Sequence, residues 1–525
     1  SIYLALFKSS GRAFWKGNIK KFALATQDDP SLGISKGDIL DVNGNRATDE
    51  NGYILDTAAS FWGGGSPDGG ETETGGVGKL LLNRPTLRNI YSWIDLNERP
   101  LTHPSNAFLK ANPKLTAAML QAKDSMEREK IINFVYGYDA YDEDGDLNTT
   151  EKRSWILGAF LHSRPCVVHY DSSTSVIFAG ANDGMLHAVL DSDGSELWAF
   201  IPPNLLDKLK LLSGDNLEYF ADGSPTAAVI DNNMNGVIEP EAPENDRVIV
   251  IFGERRGGTH YYALDVTDPL SPQYLWEVSP EDPVFSEIGQ TWGTPVFGRI
   301  LYGNQLAVFL NGGYDPGQDD DPTEGDTVGR GVYVIELLTG MLIKKFTYQE
   351  NPDMVWSIPS DIAVVDTTDN GFIDRAYVGD TGGRLWRFDL ASADPVAWSA
   401  QILFEANSPT NEGRKFFYPP DVLLEQGYEI LVFGTGDRAN PNKNTVINRI
   451  YGVKDKGTGT TLDESYLIDV TDDLLQDPYT SEADKAALRT ELENGYGWYI
   501  RLADNPGEKV LAPPLTLFGT AYVTT

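Results

Sequence analysis

A loosely repeated unit of about 60–70 residues most constrains how this chain can fold. From about Trp155 onward, each unit opens with a proline and a short apolar strand. A second apolar strand then runs into a glycine turn, a third ends near an aspartate, and a fourth often carries a tryptophan, as at Trp198 and Trp276. β-Branched and aromatic runs between glycine-rich turns are typical of antiparallel strands. The unit openings stand at Pro165, Pro225, Pro295 and Pro359, with weaker copies at Pro419-Pro420 and Pro513-Pro514.

A period of four such strands is what a propeller blade requires. The repeat therefore predicts an all-β fold over residues 151–525, a modified, quinoprotein-like β-propeller of about seven blades. A β-sandwich array, the competing fold, predicts longer linkers and no internal period.

Residues 1–150 lack the repeat and carry glycine-rich and acidic stretches, so we expect an irregular segment that leads into the propeller. Apolar residues near helical spacing predict one helix near 112–132. The sequence Ser-Glu-Ala-Asp from Ser481 resembles a capping box and predicts a helical insertion near 481–492.

Charge and composition restrict the partners of the chain. Lys plus Arg is 42 and Asp plus Glu is 77, so the formal net charge is 42 − 77 = −35. Nucleic acid and anionic membrane surfaces require a basic face, so neither is expected as a partner. No apolar run reaches the roughly 20 residues that span a bilayer. The single cysteine, Cys166, excludes an intramolecular disulfide and a cysteine-based zinc site. Both ends resemble cuts from a longer polypeptide.

The sharpest local pattern is the nine-residue stretch that starts at Asp366 and ends at Asp374. Oxygen-bearing side chains alternate along it, and Gly371 stands at the turn, as in EF-hand loops. Alternate spacing directs side chains to one centre when the chain curls, which suits the six to eight oxygens that calcium prefers. The alternative is an Asx-rich hairpin turn. The predicted calcium ligands are Asp366, Thr368, Asn370, the carbonyl of Phe372, and Asp374.

Two further stretches have related patterns. Residues 231–239 share the register of the first loop and end in a glutamate. Residues 142–148 are more acidic but place their glycine differently, and a solvated acidic linker is the alternative there. The predicted ligands of the second loop are Asp231, Asn233, Asn235, the carbonyl of Val237, and Glu239. Those of the third are Asp142, Asp144 and Asp146.

Enzyme motifs are scarce. The sequence has no G-x-S-x-G nucleophile elbow, no HExxH and no Walker A loop. No two of the five histidines show the helical spacing of metal ligands. We therefore expect a protein that is not an enzyme.

Six stretches carry motifs of a known family: Trp15–Phe22 (WKGNIKKF), Trp155–Pro165 (WILGAFLHSRP), Gly180–Ala188, Trp292–Pro295, Asn311–Tyr314 and Gly495–Ile500. These motifs resemble the PilC/PilY family of type IV pilus tip proteins. The resemblance covers nearly the whole chain, and the loop 366–374 falls where the family carries its calcium loop, with Thr368 in place of the usual acidic or amide residue.

The resemblance implies an exported protein at the pilus tip or outer cell surface. It would support pilus assembly together with minor pilins and mediate adhesion to a host-cell or abiotic surface. Bound calcium would oppose pilus retraction and tune attachment and twitching motility. One alternative is a quinoprotein dehydrogenase, although such enzymes often carry a vicinal cysteine pair that one cysteine cannot form. A surface adhesin or lectin of unrelated lineage is the other.

Overall fold

The computed structural model describes residues 1–320, 324–408 and 411–525. The chain divides into two compact units, Ser1–Glu277 and Val278–Thr525. Both units are built mainly from antiparallel strands. Within the described ranges, no helix is long and apolar enough to cross a membrane.

The first unit contains three sheets and two α-helices. Its N-terminal sheet is antiparallel and consists of β1 (Ile2–Lys8), β2 (Lys16–Leu24) and β3 (Ile39–Leu40). The helices are α1 (Gly76–Asn83) and α2 (Ser125–Val135). Sheet 1 consists of β4 (Ile90–Tyr91), β5 (Cys166–His169), β6 (Ser175–Ala181), β7 (Met185–Leu190) and β8 (Glu196–Phe200). Sheet 2 consists of β9 (Thr226–Ile230), β10 (Arg247–Gly253), β11 (Tyr261–Asp265) and β12 (Gln273–Val278).

The second unit contains three further repeated sheets. Sheet 3 consists of β13 (Val296–Ile300), β14 (Gln305–Asn311), β15 (Gly331–Glu336) and β16 (Leu342–Thr347). Sheet 4 begins with β17 (Ala363–Val365), β18 (Arg375–Gly379), β19 (Arg384–Asp389) and β20 (Ser399–Glu405). Sheet 5 begins with β21 (Asp421–Glu425), β22 (Tyr428–Gly434) and β23 (Arg449–Asp455).

The remaining elements of this unit extend or follow these sheets. Strand β24 (Leu462–Asp463) joins sheet 4, and β25 (Ile468–Asp469) and β26 (Gly497–Arg501) complete sheet 5. Helix α3 (Glu482–Asn494) lies between β25 and β26. The chain ends in a hairpin of β27 (Leu515–Leu517) and β28 (Thr520–Tyr522).

The predicted unit openings coincide with the first strands of the sheets. Strands β5, β9, β13 and β21 begin directly after a predicted opening proline, and β17 begins four positions after Pro359. The described residues form five such four-stranded meanders, fewer than the predicted seven or so. The sixth opening, at Pro513-Pro514, leads into the β27–β28 hairpin.

Aromatic side chains fill the cores between successive sheets of each unit. In the first unit, Trp198 and Phe200 of sheet 1 pack with Phe252 and Tyr262 of sheet 2. In the second unit, sheets 3 and 4 share a core that contains Phe346 and Trp386. Sheets 4 and 5 share a core that contains Phe404, Phe433 and Tyr451. The alternating apolar residues of the predicted strands therefore face the spaces between sheets.

Residues 1–150 are more regular than predicted. They form the N-terminal sheet and α1, and they share a hydrophobic core with sheet 1, in which Ile19 and Leu81 meet Ile177 and Val189. Strand β4 of this segment also pairs in parallel with β8. This segment is thus packed onto the first repeated sheet.

The helix predicted near 112–132 begins later and ends later, at Ser125 and Val135. Residues 112–123 form turns because the Asn112 side chain bonds locally, accepting from the N–H of Lys114 at 3.0 Å and donating to the carbonyl of Ala107 at 2.8 Å. Asp124 caps the helix through an Oδ1 that accepts from the N–H of Glu127 at 2.8 Å. Helix α3 follows Ser481, whose hydroxyl accepts from the N–H of Asp484 at 3.2 Å.

Candidate metal sites

The first predicted loop, residues 366–374, joins β17 to β18 in sheet 4. Val365 and Arg375 pair at its base, so the two strands hold the ends of the loop together. Ile373 anchors it further, because its N–H donates to the carbonyl of Arg299 at 2.7 Å. Its side chain occupies the space where a side chain at Gly298 would lie. The strand framework therefore fixes where the loop begins and ends.

Backbone N–H groups curl this loop around Asp366. Its Oδ1 accepts from the N–H of Asn370 at 3.2 Å, and its Oδ2 from the N–H of Gly371 at 2.6 Å. Gly371 has a φ of 84°, a left-handed conformation that glycine adopts without a steric penalty. Burial raises the pKa of Asp366, but the N–H groups of Asn370, Gly371 and Thr368 outweigh it and hold the pKa below its usual value. Asp366 is therefore held as a carboxylate at the centre of the curl.

Three of the predicted ligands meet inside the loop. The Thr368 hydroxyl lies 3.4 Å from Asp366 Oδ1 and 3.3 Å from Asp374 Oδ2. Asp374 is only 7% exposed, and its carboxylate also accepts from the N–H of Thr367 at 3.0 Å. Asn370 and Phe372 bond to each other, since Asn370 Oδ1 accepts from the N–H of Phe372 at 2.9 Å. The loop thus gathers two carboxylates and a hydroxyl, all hard oxygen donors suited to calcium.

The second predicted loop joins β9 to β10, the equivalent connection of sheet 2. Asp231 Oδ1 accepts from the N–H of Asn235 at 3.3 Å, and its Oδ2 from the N–H of Gly236 at 2.7 Å. Asn235 Oδ1 accepts from the N–H of Val237 at 2.7 Å, and Gly236 has a φ of 78°. Residues 231–237 therefore repeat the hydrogen bonding of residues 366–372.

The end of the second loop differs from the prediction. Glu239 reaches the other predicted ligands, because its Oε2 accepts from the side-chain amides of Asn233 at 3.0 Å and Asn235 at 2.9 Å. The residue in the position of Asp374, however, is Asp246. Each of these two aspartates immediately precedes the second strand of its sheet.

Asp246 is fully buried and closes the second loop as Asp374 closes the first. Its Oδ1 accepts from the N–H of Asn232 at 2.8 Å, and its Oδ2 from the N–H of Glu239 at 2.9 Å. These two hydrogen bonds hold the pKa of Asp246 below its usual value. Residues 240–245 separate Asp246 from the other ligands, so a nine-residue pattern does not include it. The sequence signal for Asp246 is an Asp-Arg pair whose arginine begins the second strand, as in Asp246-Arg247 and Asp374-Arg375.

The third predicted loop gathers more carboxylates than either of the others. Single oxygens of Asp142, Asp144 and Asp146 lie within 4.8 Å of one another. Asp144 also belongs to a second group of the same dimensions, with Asp139 and Glu151. The base of the loop is closed by the N–H of Asp139, which donates to the carbonyl of Glu151 at 2.8 Å. These residues can therefore hold a divalent cation.

Glu151 and Asp139 were missed in the sequence. If Gly145 is taken as position six of an EF-hand loop, Glu151 stands at position twelve, where such loops carry their bidentate glutamate. The same register puts Ala140 at position one, so Asp139 had no sequence signal. Burial raises the pKa of Glu151, and repulsion from Asp146, Asp144 and Asp139 raises it further. A bound cation would relieve this repulsion.

An ion can reach this third group from solvent. Asp139, Asp144 and Glu151 line a surface cleft of about 300 Å³. Arg12 stands on the same cleft, where its guanidinium pairs with Glu143 at 3.2 Å. The cleft therefore gives access to the three carboxylates.

The five repeated meanders, with an oxygen-rich loop between the first and second strands of two of them, define a β-propeller protein with candidate calcium loops. The chain belongs to the family described as the PilY1 beta-propeller domain, whose sequence profile matches residues 167–492, more than half of the chain.

Curated relatives extend the similarity. A Type IV pilus biogenesis factor PilY1 homolog of Xylella fastidiosa is 29% identical over 402 residues, which cover 70% of this chain and 25% of that protein. Type IV pilus biogenesis factor PilY1 of Pseudomonas aeruginosa is 26% identical over 514 residues, covering 82% and 41% respectively. This chain thus spans less than half of the length of either relative. The crystal structure of the Pseudomonas aeruginosa PilY1 C-terminal domain is similar with a TM-score of 0.48 and 23% identity, over 66% of this chain and 74% of that one.

Proposed function

We propose that this chain is the calcium-binding, non-enzymatic propeller of a type IV pilus protein. Its relatives are named as pilus biogenesis factors, which supports a role in pilus assembly. The observation that carries the calcium proposal is the repetition of one loop architecture at residues 231–237 and 366–372, each closed by a buried aspartate.

The first site would use Asp366, Thr368 and Asp374, with Asn370 and the Phe372 carbonyl completing the shell. The second would use Asp231, Asn233, Asn235 and Asp246, with Glu239 and the Val237 carbonyl. The third would use Asp139, Asp142, Asp144, Asp146 and Glu151. Each set offers oxygen donors only, which favours calcium over softer transition metals.

Calcium can act as a switch at these loops. A cation bound between the carboxylates would order a segment whose charges otherwise repel one another. Because the cation would bind only the ordered loop, its binding would stabilise that state over the disordered one. In the proposed role, the ordered propeller opposes pilus retraction, and its release from calcium permits retraction.

The proposed setting is outside the cell, at the pilus tip or outer surface. Minor pilins would be the assembly partners there, and a host-cell or abiotic surface the adhesion target. The net charge of −35 fits an exposed protein and supplies carboxylates for calcium at the concentrations found outside cells.

Deletion of the gene in its own host tests this function. Restoring the wild-type gene should restore surface pili, surface attachment and twitching motility. Restoring Asp366→Ala should give pili whose retraction no longer responds to calcium. Normal piliation in the deletion strain would contradict the assembly role. Glycan binding by the chain without any effect on piliation would favour an unrelated lectin, and a quinone absorbance spectrum would favour a dehydrogenase.

A further inference from the structure

Four of the five repeated sheets have their last edge covered by another segment of the chain. Strand β4 pairs in parallel with β8 in sheet 1, β24 with β20 in sheet 4, and β25 with β26 in sheet 5. In sheet 2, the segment 99–101 covers β12: the N–H of Tyr274 donates to the carbonyl of Arg99 at 2.9 Å, and the N–H of Leu101 to that of Pro272 at 2.9 Å. A fifth extended segment is thus a recurring part of these sheets.

Sheet 3 differs from the other four. Its last strand, β16, pairs only with β15 among the described residues. The turn Pro395–Ala397 approaches β16, but its N–H groups bond within the turn region, as in the donation from Ala397 to the carbonyl of Asp394 at 3.0 Å. Within the described part of the chain, the edge of sheet 3 is therefore open where the other sheets carry an added segment.

The register shows which backbone groups face outward on β16. Tyr348 donates to the carbonyl of Arg330 at 3.1 Å, so this pair is hydrogen-bonded. Hydrogen-bonded and non-hydrogen-bonded pairs alternate in an antiparallel ladder, and Lys345 opposite Tyr333 is three positions from Tyr348. Lys345 is consequently a non-hydrogen-bonded position, and its N–H and C=O point away from β15. A partner strand would pair with these groups.

The side chains of β16 indicate the charge of such a strand. Lys344 and Lys345 are adjacent and so point to opposite faces of the sheet. Lys345 lies 3.4 Å from Glu350, whereas Lys344 lies 5.5 Å from the centre of the Phe346 ring. Two lysines on one edge disfavour pairing with a second copy of the same edge, because like charges would oppose each other. Because Lys345 already pairs with Glu350, they favour a strand whose carboxylates face Lys344 on one side of the sheet and whose apolar residues lie on the other.

We propose that β16 is a docking edge, at which an extended segment of a partner protein with alternating apolar and acidic residues adds to sheet 3 as a fifth strand. Addition of a strand to an exposed sheet edge is a general mode of peptide recognition, in which the backbone gives affinity and the side chains give specificity. The proposal does not depend on calcium, since neither β16 nor its outward groups belong to the candidate metal loops.

A fluorescent peptide of alternating glutamate and valine tests the proposal on the whole chain. We expect saturable binding in fluorescence anisotropy, and slower hydrogen exchange over residues 342–347 when the peptide is bound. Lys345→Pro removes an N–H that points away from β15, together with the side chain that pairs with Glu350, and should weaken binding at least tenfold. Lys345→Ala is the matched control and should retain most of the binding, because it keeps the N–H.

A charge-reversed variant, tested with a charge-reversed peptide, keeps the proposal testable if the proline variant does not fold. The variant Lys344→Glu should lose the glutamate–valine peptide and gain binding of a lysine–valine peptide. Absence of binding to the wild type, or binding that leaves exchange over 342–347 unchanged, would overturn the proposal. Protection of 342–347 that grows with protein concentration in the absence of peptide would also overturn it, since a second copy would then be the occupant.

Discussion

Loss of charge on His187 should destabilise sheet 1 above neutral pH. This histidine is 1% exposed, and its two ring nitrogens lie 3.1 Å from Asp183 Oδ1 and 2.8 Å from Glu196 Oε1. Burial alone lowers the pKa of His187, but the two carboxylates outweigh it and raise the pKa to about 9. Arg88 completes the network through bonds of 2.8 and 2.6 Å to Glu196.

The size and sign of the effect follow from linkage. The folded pKa of about 9 stands above the ordinary value of 6.5. Protonated His187 thus stabilises the fold fully below pH 6.5, and this contribution is lost as the pH rises through 9. A shift of that size corresponds to about 3 kcal/mol in the free energy of unfolding.

Urea unfolding of the wild type and of His187→Gln, followed by circular dichroism at pH 6.5 and about pH 10, measures this contribution. The wild type should lose about 3 kcal/mol more than the variant between the two pH values. The variant should already be weaker at pH 6.5, because it leaves Asp183 buried with one partner fewer. If the free energy of unfolding changes equally in both proteins between the two pH values, to within about 1 kcal/mol, protonated His187 does not stabilise the fold in this way.

Three further predictions concern the candidate metal loops. Asp246→Asn should abolish calcium binding at the second loop, whereas Glu239→Gln should weaken it only slightly. Terbium luminescence titrations of the two variants measure the two losses, and equal losses would contradict the role given to Asp246. At the third loop, Glu151→Gln should weaken binding. Because its pKa is raised, Glu151 gains its proton at a higher pH on acidification, and the third loop should therefore release terbium at a higher pH than the first loop. Release from both loops at the same pH would contradict this prediction. Gly371→Val should cost about 1–2 kcal/mol through its positive φ and weaken the first loop, whereas Gly371→Asn should cost less, as thermal unfolding can show.

The repeat predicted much of the fold because its signals are local. A proline and an apolar run specify where a first strand starts, and the glycine turns specify where it reverses. The number of sheets depends on whether a late unit completes its four strands, which Pro513-Pro514 alone cannot reveal. The start of α2 depends on competition between helix formation and local hydrogen bonding by the Asn112 side chain. The spacing of apolar residues carries no information about this competition.

The candidate sites show the same division between local and distant information. The first loop could be predicted from the sequence because all of its proposed ligands lie within nine consecutive residues. Asp246 lies beyond an insertion, and only the pairing of β9 with β10 brings it to Asp231. Asp139 joins Asp144 and Glu151 because the base of the third loop is closed by backbone bonding between residues far apart in the pattern.

Isothermal titration calorimetry of the chain with calcium, beside Asp374→Ala, measures whether the first loop is a calcium site. We expect saturable binding by the wild type and loss of one component of that binding in the variant, with an unchanged circular dichroism spectrum. The Asp374 side chain bonds to Thr367 and Thr368 within the loop, and alanine keeps the backbone bonds of this position to Val365 and Leu390, so the fold should survive the substitution. If the folded wild-type chain binds no calcium, the three loops are ordinary turns and the proposed calcium sites are wrong.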